Sequence, residues 1–275
     1  MTRVAVFQPT TGIDPAANTA ALVKAIEKTA AGGGTMLFTP EMSGLLDRDA
    51  KRASSALREP ERDEVLSACR DAAAKHGLWL HIGSLAVLTS NGKVANRAFV
   101  IDAAGEIRAT YDKIHLFDVD LPTGESWRES NVYAAGDRAV VVDDTPVGRL
   151  GLTICYDLRF PDLFARLAEA GADSIAVPAA FTVPTGMAHW HVLLRARAIE
   201  AGLFVIAAAQ VGHHEDGRNT FGHSLVVDPW GEVLLDLGDQ PGLGFVEIDR
   251  ARIADVRSRV PALAHRRSIP NVTHQ

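Results

Sequence analysis

The sequence predicts an α/β fold in which two α/β halves face each other as a layered sandwich. Short apolar runs alternate with amphipathic stretches of helical period, and the same grammar recurs in the second half. No Pro/Ser/Gly-rich linker or charge block divides the chain, so residues 1–275 read as one domain.

Residues 4–7 read as a strand, 15–29 as a helix, 36–38 as a strand, 60–75 as a helix and 79–84 as a strand. Gly32-Gly33-Gly34 follows a helix and precedes a strand, the reverse of a phosphate-binding loop, and reads as a helix stop. Strands 98–102 and 106–111 form a hairpin through Ala103-Ala104-Gly105, which sets Lys113 just past a strand end. Residues 117–137 form a long loop bearing Pro, Gly and Asp, a candidate wall for a site. The second half gives strands 150–154, 174–178 and 204–209, helices 161–170 and 188–201, and a hairpin of 224–227 with 232–235 turning on Asp228-Pro229-Trp230-Gly231.

Composition narrows the function classes. With 47% hydrophobic and 23% charged residues the chain has ample material for a core. A formal net charge of -6 and the lack of any Lys/Arg run argue against nucleic acid and membrane partners and favour a small molecule. The N-terminal apolar run is too short for a signal peptide, so a cytoplasmic protein is expected. Two cysteines build neither a disulfide framework nor a Cys-rich zinc site, and Cys69 lies on the apolar face of its helix, where it reads as packing. His213, His214 and His223 lie in a Gly/Asp/Asn-rich stretch with no carboxylate at metal spacing; they read as solvated, and neither metal nor cofactor is expected.

Cys155 is different. It ends an apolar strand and opens Cys155-Tyr156-Asp157-Leu158-Arg159-Phe160-Pro161, where Pro161 starts a helix, so its thiol is presented at a sheet edge near free backbone N–H groups. Glu41 follows one strand through Thr39-Pro40, Lys113 follows another, and Glu129 lies in the long loop. Groups at strand ends of an open α/β sheet can converge on one crevice. Singly, a turn-capping Glu41, a solvated Lys113 and an ordinary loop Glu129 are the commoner outcomes. Together they supply a nucleophile, a base and a cation.

Pro40-Glu41, Lys113-Ile114-His115-Leu116-Phe117 and Cys155 to Pro161, in this order, make the chain resemble the nitrilase superfamily of carbon-nitrogen hydrolases over nearly its whole length. The resemblance implies a four-layer α-β-β-α sandwich, a Cys155 nucleophile, a Glu41 base, a Lys113 oxyanion donor aided by the Tyr156 N–H, and Glu129 as a second glutamate that orients Lys113, the amide or water. It also implies a homodimer or higher even oligomer. Arg159, with Phe181 and Thr185, would line the pocket and bind a substrate carboxylate; the alternative is an ion pair of Arg159 with Asp157 or another carboxylate. The stretches 207–213 and 222–231 and the tail His265-Arg266-Arg267 look most like the deaminated glutathione amidase branch, departing from it at Ser268. An ω-amidase acting on α-ketoglutaramate, an N-carbamoyl amidase and a nitrilase are alternatives, and a non-catalytic interaction protein would be expected to have lost one of the three groups.

Overall fold

The computed structural model describes residues 1–120, 124 and 126–274. Thr2–Gln8 forms β1 and Pro15–Ala31 forms α1, which Asp14 caps by accepting from the Ala16 N–H at 2.9 Å. The helix stops at Gly32, as the glycine run predicts, and Met36–Phe38 follows as β2. The short helix Ala50–Ser54 (α2) precedes Glu64–His76 (α3), which is capped by Asp63 and closed by left-handed Gly77. Trp79–Leu88 (β3), Val94–Ile101 (β4) and Ile107–Asp112 (β5) form an antiparallel meander. The expected long loop holds a small hairpin of Asp118–Asp120 (β6) and Ser126–Arg128 (β7), then a 3-10 turn over Glu129–Asn131. Leu121, Pro122, Thr123 and Glu125 of that stretch lie outside the described residues.

The second half comprises Val141–Thr145 (β8), Gly148–Leu152 (β9), Pro161–Glu169 (α4), Ser174–Ala176 (β10), Val183–Ala201 (α5) and Phe204–Ala207 (β11). The ribbon of Val211–His213 (β12) with Asn219–Phe221 (β13) precedes Leu225–Val227 (β14), Val233–Asp236 (β15), Gly242–Ile248 (β16) and Ala251–Arg259 (α6). Helix α5 starts five residues before the expected 188 because Pro184 suits a first helical turn, which places Thr185 on the helix. Helices α2 and α6 and strands β6, β7, β8, β12, β13 and β16 are additions to the sequence reading.

Two six-stranded sheets, β16-β1-β2-β3-β4-β5 and β15-β14-β11-β10-β9-β8, carry the fold. Strand periodicity explains the layering. Val4, Val6, Met36 and Phe38 join the core shared with the second sheet, whereas their neighbours Ala5 and Leu37 pack under Leu22 and Ile26 of α1 and Leu66 and Cys69 of α3. Phe164 of α4 and Trp190 and Leu194 of α5 cover the other sheet. The result is the four-layer α-β-β-α sandwich. Each buried Val, Leu, Ile, Met or Phe among these contributes roughly 1.5–3 kcal/mol of transfer free energy. β16 returns from the second half to pair antiparallel with β1, Val246 opposite Val4, which ties the two halves together.

Candidate active site

Three strand ends deliver the chemistry. After β2 the chain runs Thr39-Pro40-Glu41, and the Gly83 N–H donates to Thr39 Oγ1 at 3.1 Å. Gly83 is required there: a Cβ would sit 2.1 Å from Thr39 O and 2.4 Å from Pro178 Cβ. Lys113 follows β5, its N–H bonded to Asn96 O at 3.0 Å. Cys155 follows β9 through Thr153-Ile154 and opens a 3-10 turn over Cys155–Arg159, with its N–H on Pro178 O at 2.8 Å. Its φ of 51° is left-handed, a strained state for a residue with a side chain, and it holds the thiol out of the strand line.

Lys113 Nζ donates to Glu41 Oε1 at 2.8 Å and to Glu129 Oε2 at 2.8 Å, with the whole side chain buried. Asn96 Nδ2 bridges the same two carboxylates, 2.9 Å to Glu41 and 3.0 Å to Glu129. Glu41 Oε2 accepts from the Ala180 N–H at 3.0 Å, and Glu129 Oε2 from the Phe117 N–H at 2.7 Å. Burial pushes the Glu41 carboxyl up, but the Lys113 ammonium and the bonds from Lys113, Cys155 and Asn96 outweigh it and hold it below its ordinary value. Burial likewise pushes Lys113 down, and the charges of Glu129 and Glu41 overcome it and raise Lys113 well above the ordinary range. Burial and the Glu41 charge both push the Cys155 thiol up, so at neutral pH it is a thiol facing an ionised carboxylate. Cys69, buried in the helix-sheet core, is pushed up to about 12 by burial and has no such partner.

Asp157 does not make the ion pair with Arg159 that is the alternative reading of the sequence. Instead, its fully buried carboxylate accepts from Tyr111 Oη at 2.7 Å, the Ile154 N–H at 2.9 Å and the His115 N–H at 3.0 Å, with His115 Nδ1 at 2.7 Å. It therefore latches the Lys113 segment to the Cys155 turn. Asn96 was missed altogether; its signal was an amide inside the apolar strand 94–101, where Asn is disfavoured.

Glu41, Lys113, Glu129, Cys155, Tyr156, Arg159, Phe181 and Thr185 line one cavity of about 540 Å³. Arg159 lies over the rings of Phe181 at 5.5 Å and Tyr156 at 5.8 Å, with His189 Nδ1 3.3 Å away, and has no carboxylate partner among the described residues. The Tyr156 N–H, in the first turn after Cys155, is likewise free of a partner among the described residues. Two histidine readings need correction. His214 is buried rather than solvated, with Nδ1 on Thr11 O at 2.9 Å and Nε2 on Thr220 Oγ1 at 2.7 Å. His223 does have a carboxylate: Asp236 bridges it to His191 at 2.9 and 3.0 Å, a hydrogen-bonded trio whose members are not among the cavity residues.

Residues 3–258 match the carbon-nitrogen hydrolase family. The chain belongs to that family. Its relatives include the deaminated glutathione amidase of Yersinia enterocolitica, 41% identical over 246 residues that span 87% of this chain and 84% of the relative. Among solved structures, the C. elegans NitFhit protein superposes with a TM-score of 0.89 at 38% identity over 97% of this chain and 65% of that longer one. An amidase from Nesterenkonia sp. AN1, a glutamate-to-glutamine mutant carrying the acetamide moiety of fluoroacetamide on its active-site cysteine, gives 0.81 at 28% identity over 97% of this chain and 94% of the other. This carbon-nitrogen hydrolase is thus an enzyme acting on carbon–nitrogen bonds other than peptide bonds, on the nitrilase-superfamily fold. Among the described residues no helix is long and apolar enough to cross a membrane.

Proposed function

We propose that this hydrolase cleaves the ω-amide of a short 2-oxo acid through a Cys155 thioester, in the manner of the deaminated glutathione amidases it resembles. The observation that carries the reading is the bonded array of Glu41, Lys113, Glu129 and Asn96 beside a neutral thiol, in a cavity that also holds the Arg159 guanidinium, which has no carboxylate partner among the described residues. Glu41 takes the thiol proton as sulfur attacks the amide carbonyl. Lys113 Nζ bonds Glu41 Oε1 at 2.8 Å and both Glu129 oxygens at 2.8 and 3.1 Å; turning the N–H of the longer bond inward, with the Tyr156 N–H, supplies the oxyanion donors. Glu41 then protonates the departing amine, the C–N bond breaks and a thioester remains. Water, deprotonated by Glu41, attacks that thioester; the acid leaves and the proton returns to sulfur. Glu129 and Asn96 hold Lys113 and Glu41 in place. No step calls on a metal or cofactor. Arg159 offers a two-pronged donor for the acyl carboxylate, with Phe181 and Thr185 beside it.

A homodimer and a cytoplasmic location belong to the same proposal. The outer face of α5 exposes Met187, Val192 and Ile199, with Trp230 also exposed and its neighbour Gly231 packed against Ile199, and two free thiols suit a reducing compartment. A panel of ω-amides of 2-oxo acids, carbamoyl compounds and nitriles, scored by amine or ammonia release, tests the substrate class. The reading expects the 2-oxo ω-amides to dominate kcat/KM. Preference for a carbamoyl compound or a nitrile would replace it.

A further inference from the structure

Behind the cavity wall, and outside every step of the proposed mechanism, two histidines and an aspartate converge: His191 of α5, His223 just before β14 and Asp236 at the end of β15. Asp236 Oδ2 stands 3.0 Å from His191 Nε2 and 3.2 Å from His223 Nδ1, and one donor atom from each residue lies within 4.8 Å of the others. A tetrahedral Zn²⁺ site with bonds of about 2.0–2.1 Å sets its ligand atoms roughly 3.4 Å apart. Two edges of such a site are therefore already formed, and the third closes by rotation of one imidazole. The three side chains are each about a third exposed, so water can reach the remaining position.

Contacts that do not use these donor atoms hold the groups in place. Phe221 stacks on His223, centroids 4.5 Å apart at 23°, and meets His191 edge-on at 6.2 Å. The His223 backbone is pinned on both sides, its N–H on Gly238 O at 2.7 Å and its carbonyl accepting from Trp190 Nε1 at 2.7 Å. Those bonds keep it at a left-handed φ of 54°, a costly state for a residue with a side chain. Asp236 Oδ1 accepts from the Gly238 N–H at 2.9 Å and lies 2.9 Å from His223 Nδ1, which turns Oδ2 toward both imidazoles. His191 Nδ1 and His223 Nε2 have no protein partner among the described residues, so each neutral ring can carry its proton there and offer the facing nitrogen to an ion. Two imidazoles and one carboxylate suit zinc and its neighbours, whereas Mg²⁺ and Ca²⁺ take oxygen ligands.

We propose that His191, His223 and Asp236 bind one divalent ion of the zinc type per chain, with water as the fourth ligand, and that the ion clips α5 to the β14–β15 hairpin behind the active-site wall. Phe221 connects the clip to the wall. Its N–H donates to Phe181 O at 3.0 Å, and its ring lies so close to α5 that a Cβ on Gly186 would come within 2.2 Å of it. Phe181 and Thr185 of the cavity therefore rest on the elements that the ion fastens. His191 and Asp236 are 45 residues apart in the chain, so the ion closes a long loop and acts on stability, not on the chemistry at Cys155. The inference is independent of the substrate reading above.

The test titrates chelator-treated, tag-free, full-length enzyme with Zn²⁺ by calorimetry and follows thermal unfolding of the same samples. Wild type should bind one ion per chain. Zn²⁺ at about a hundredfold above its Kd should raise Tm by about 5 °C, and Mg²⁺ at the same concentration should leave Tm unchanged. His191→Gln and Asp236→Asn should each weaken Zn²⁺ binding at least about tenfold and remove most of the rise in Tm. His191 lies on an exposed turn of α5 where Gln suits the helix, so this variant keeps the fold, and an amide hydrolysis rate near that of wild type checks it. Thiolates also bind zinc, so Cys155→Ala is titrated in parallel and should retain the one-ion binding and the Tm shift. Absence of Zn²⁺ binding in wild type overturns the proposal and leaves the trio a hydrogen-bonded link. Binding that survives unweakened in both His191→Gln and Asp236→Asn, or that disappears in Cys155→Ala, overturns it too, by placing the ion elsewhere.

Discussion

At the scale of single residues, the central feature is a proposed nucleophile, Cys155, whose thiol stays uncharged beside an ionised carboxylate. Cys155 is a thiol because burial and the Glu41 carboxylate both disfavour a second negative charge there, so the proposed mechanism depends on concerted proton transfer rather than a standing thiolate. The sequence named Glu41, Lys113, Glu129 and Cys155 because each follows a strand end or sits in the adjoining loop, which a local pattern reveals. Asn96 escaped because its partners are 33 and 55 residues away along the chain. Arg159 carries a separate expectation. Replacing it with Ala should lower kcat/KM for a 2-oxo ω-amide by about ten- to a hundredfold relative to a neutral short-chain amide, the equivalent of roughly 1.5–3 kcal/mol of charge-assisted bonding. Parallel kinetics on the two amides check this, and equal losses would make Arg159 a structural residue.

Elements set how these groups meet. The Asp157 latch joins the end of β5 to the turn after β9, with Tyr111 Oη and the Ile154 and His115 N–H groups as its donors. Asp157→Asn should therefore cut kcat at least about a hundredfold and lower Tm, since an amide repeats only part of that acceptor set, whereas Tyr111→Phe, which removes one bond, should cost about 1–3 kcal/mol of stability with a smaller effect on rate. Kinetics alongside thermal unfolding of both variants decide it. His81 on β3 offers a pH test. Its ring is buried against Phe38 with neither nitrogen bonded among the described residues, and burial lowers its pKa from 6.5 to about 3. The unfolded chain thus binds a proton that the folded one refuses between those values, so stability falls as pH drops through 6.5 toward about 3, by on the order of 2 kcal/mol already near pH 5. His81→Phe should flatten that slope in urea unfolding at near-neutral and mildly acid pH; an unchanged slope would assign acid sensitivity elsewhere. Helices and central strands were legible from period and caps. β16 was not, because the strand it completes lies at the other end of the chain and only tertiary pairing with β1 gives Gly242–Ile248 its place. The start of α5 was misplaced because the run Phe181 to Gly186 reads locally as a loop around Pro184.

For the whole molecule, the two sheets turn local strand ends into one cavity: the first brings Glu41 and Lys113, the second brings Cys155, and β16 locks the pair together. The opposite side of α5 carries the exposed apolar residues already assigned to a proposed dimer contact. Light scattering at micromolar concentration should give twice the chain mass, and Val192→Lys combined with Ile199→Lys should return it toward the monomer; a monomeric wild type would remove the dimer. The central claim is tested most directly by pre-steady-state mass mapping with a p-nitrophenyl ester of the acyl acid, whose leaving group departs without help from a general acid, so that acylation outruns hydrolysis. The account predicts a burst of nitrophenol, with the acyl mass on the peptide containing Cys155 and both signals absent in Cys155→Ala. An acyl group on Cys69 or any other residue, or a burst that survives in Cys155→Ala, would contradict it.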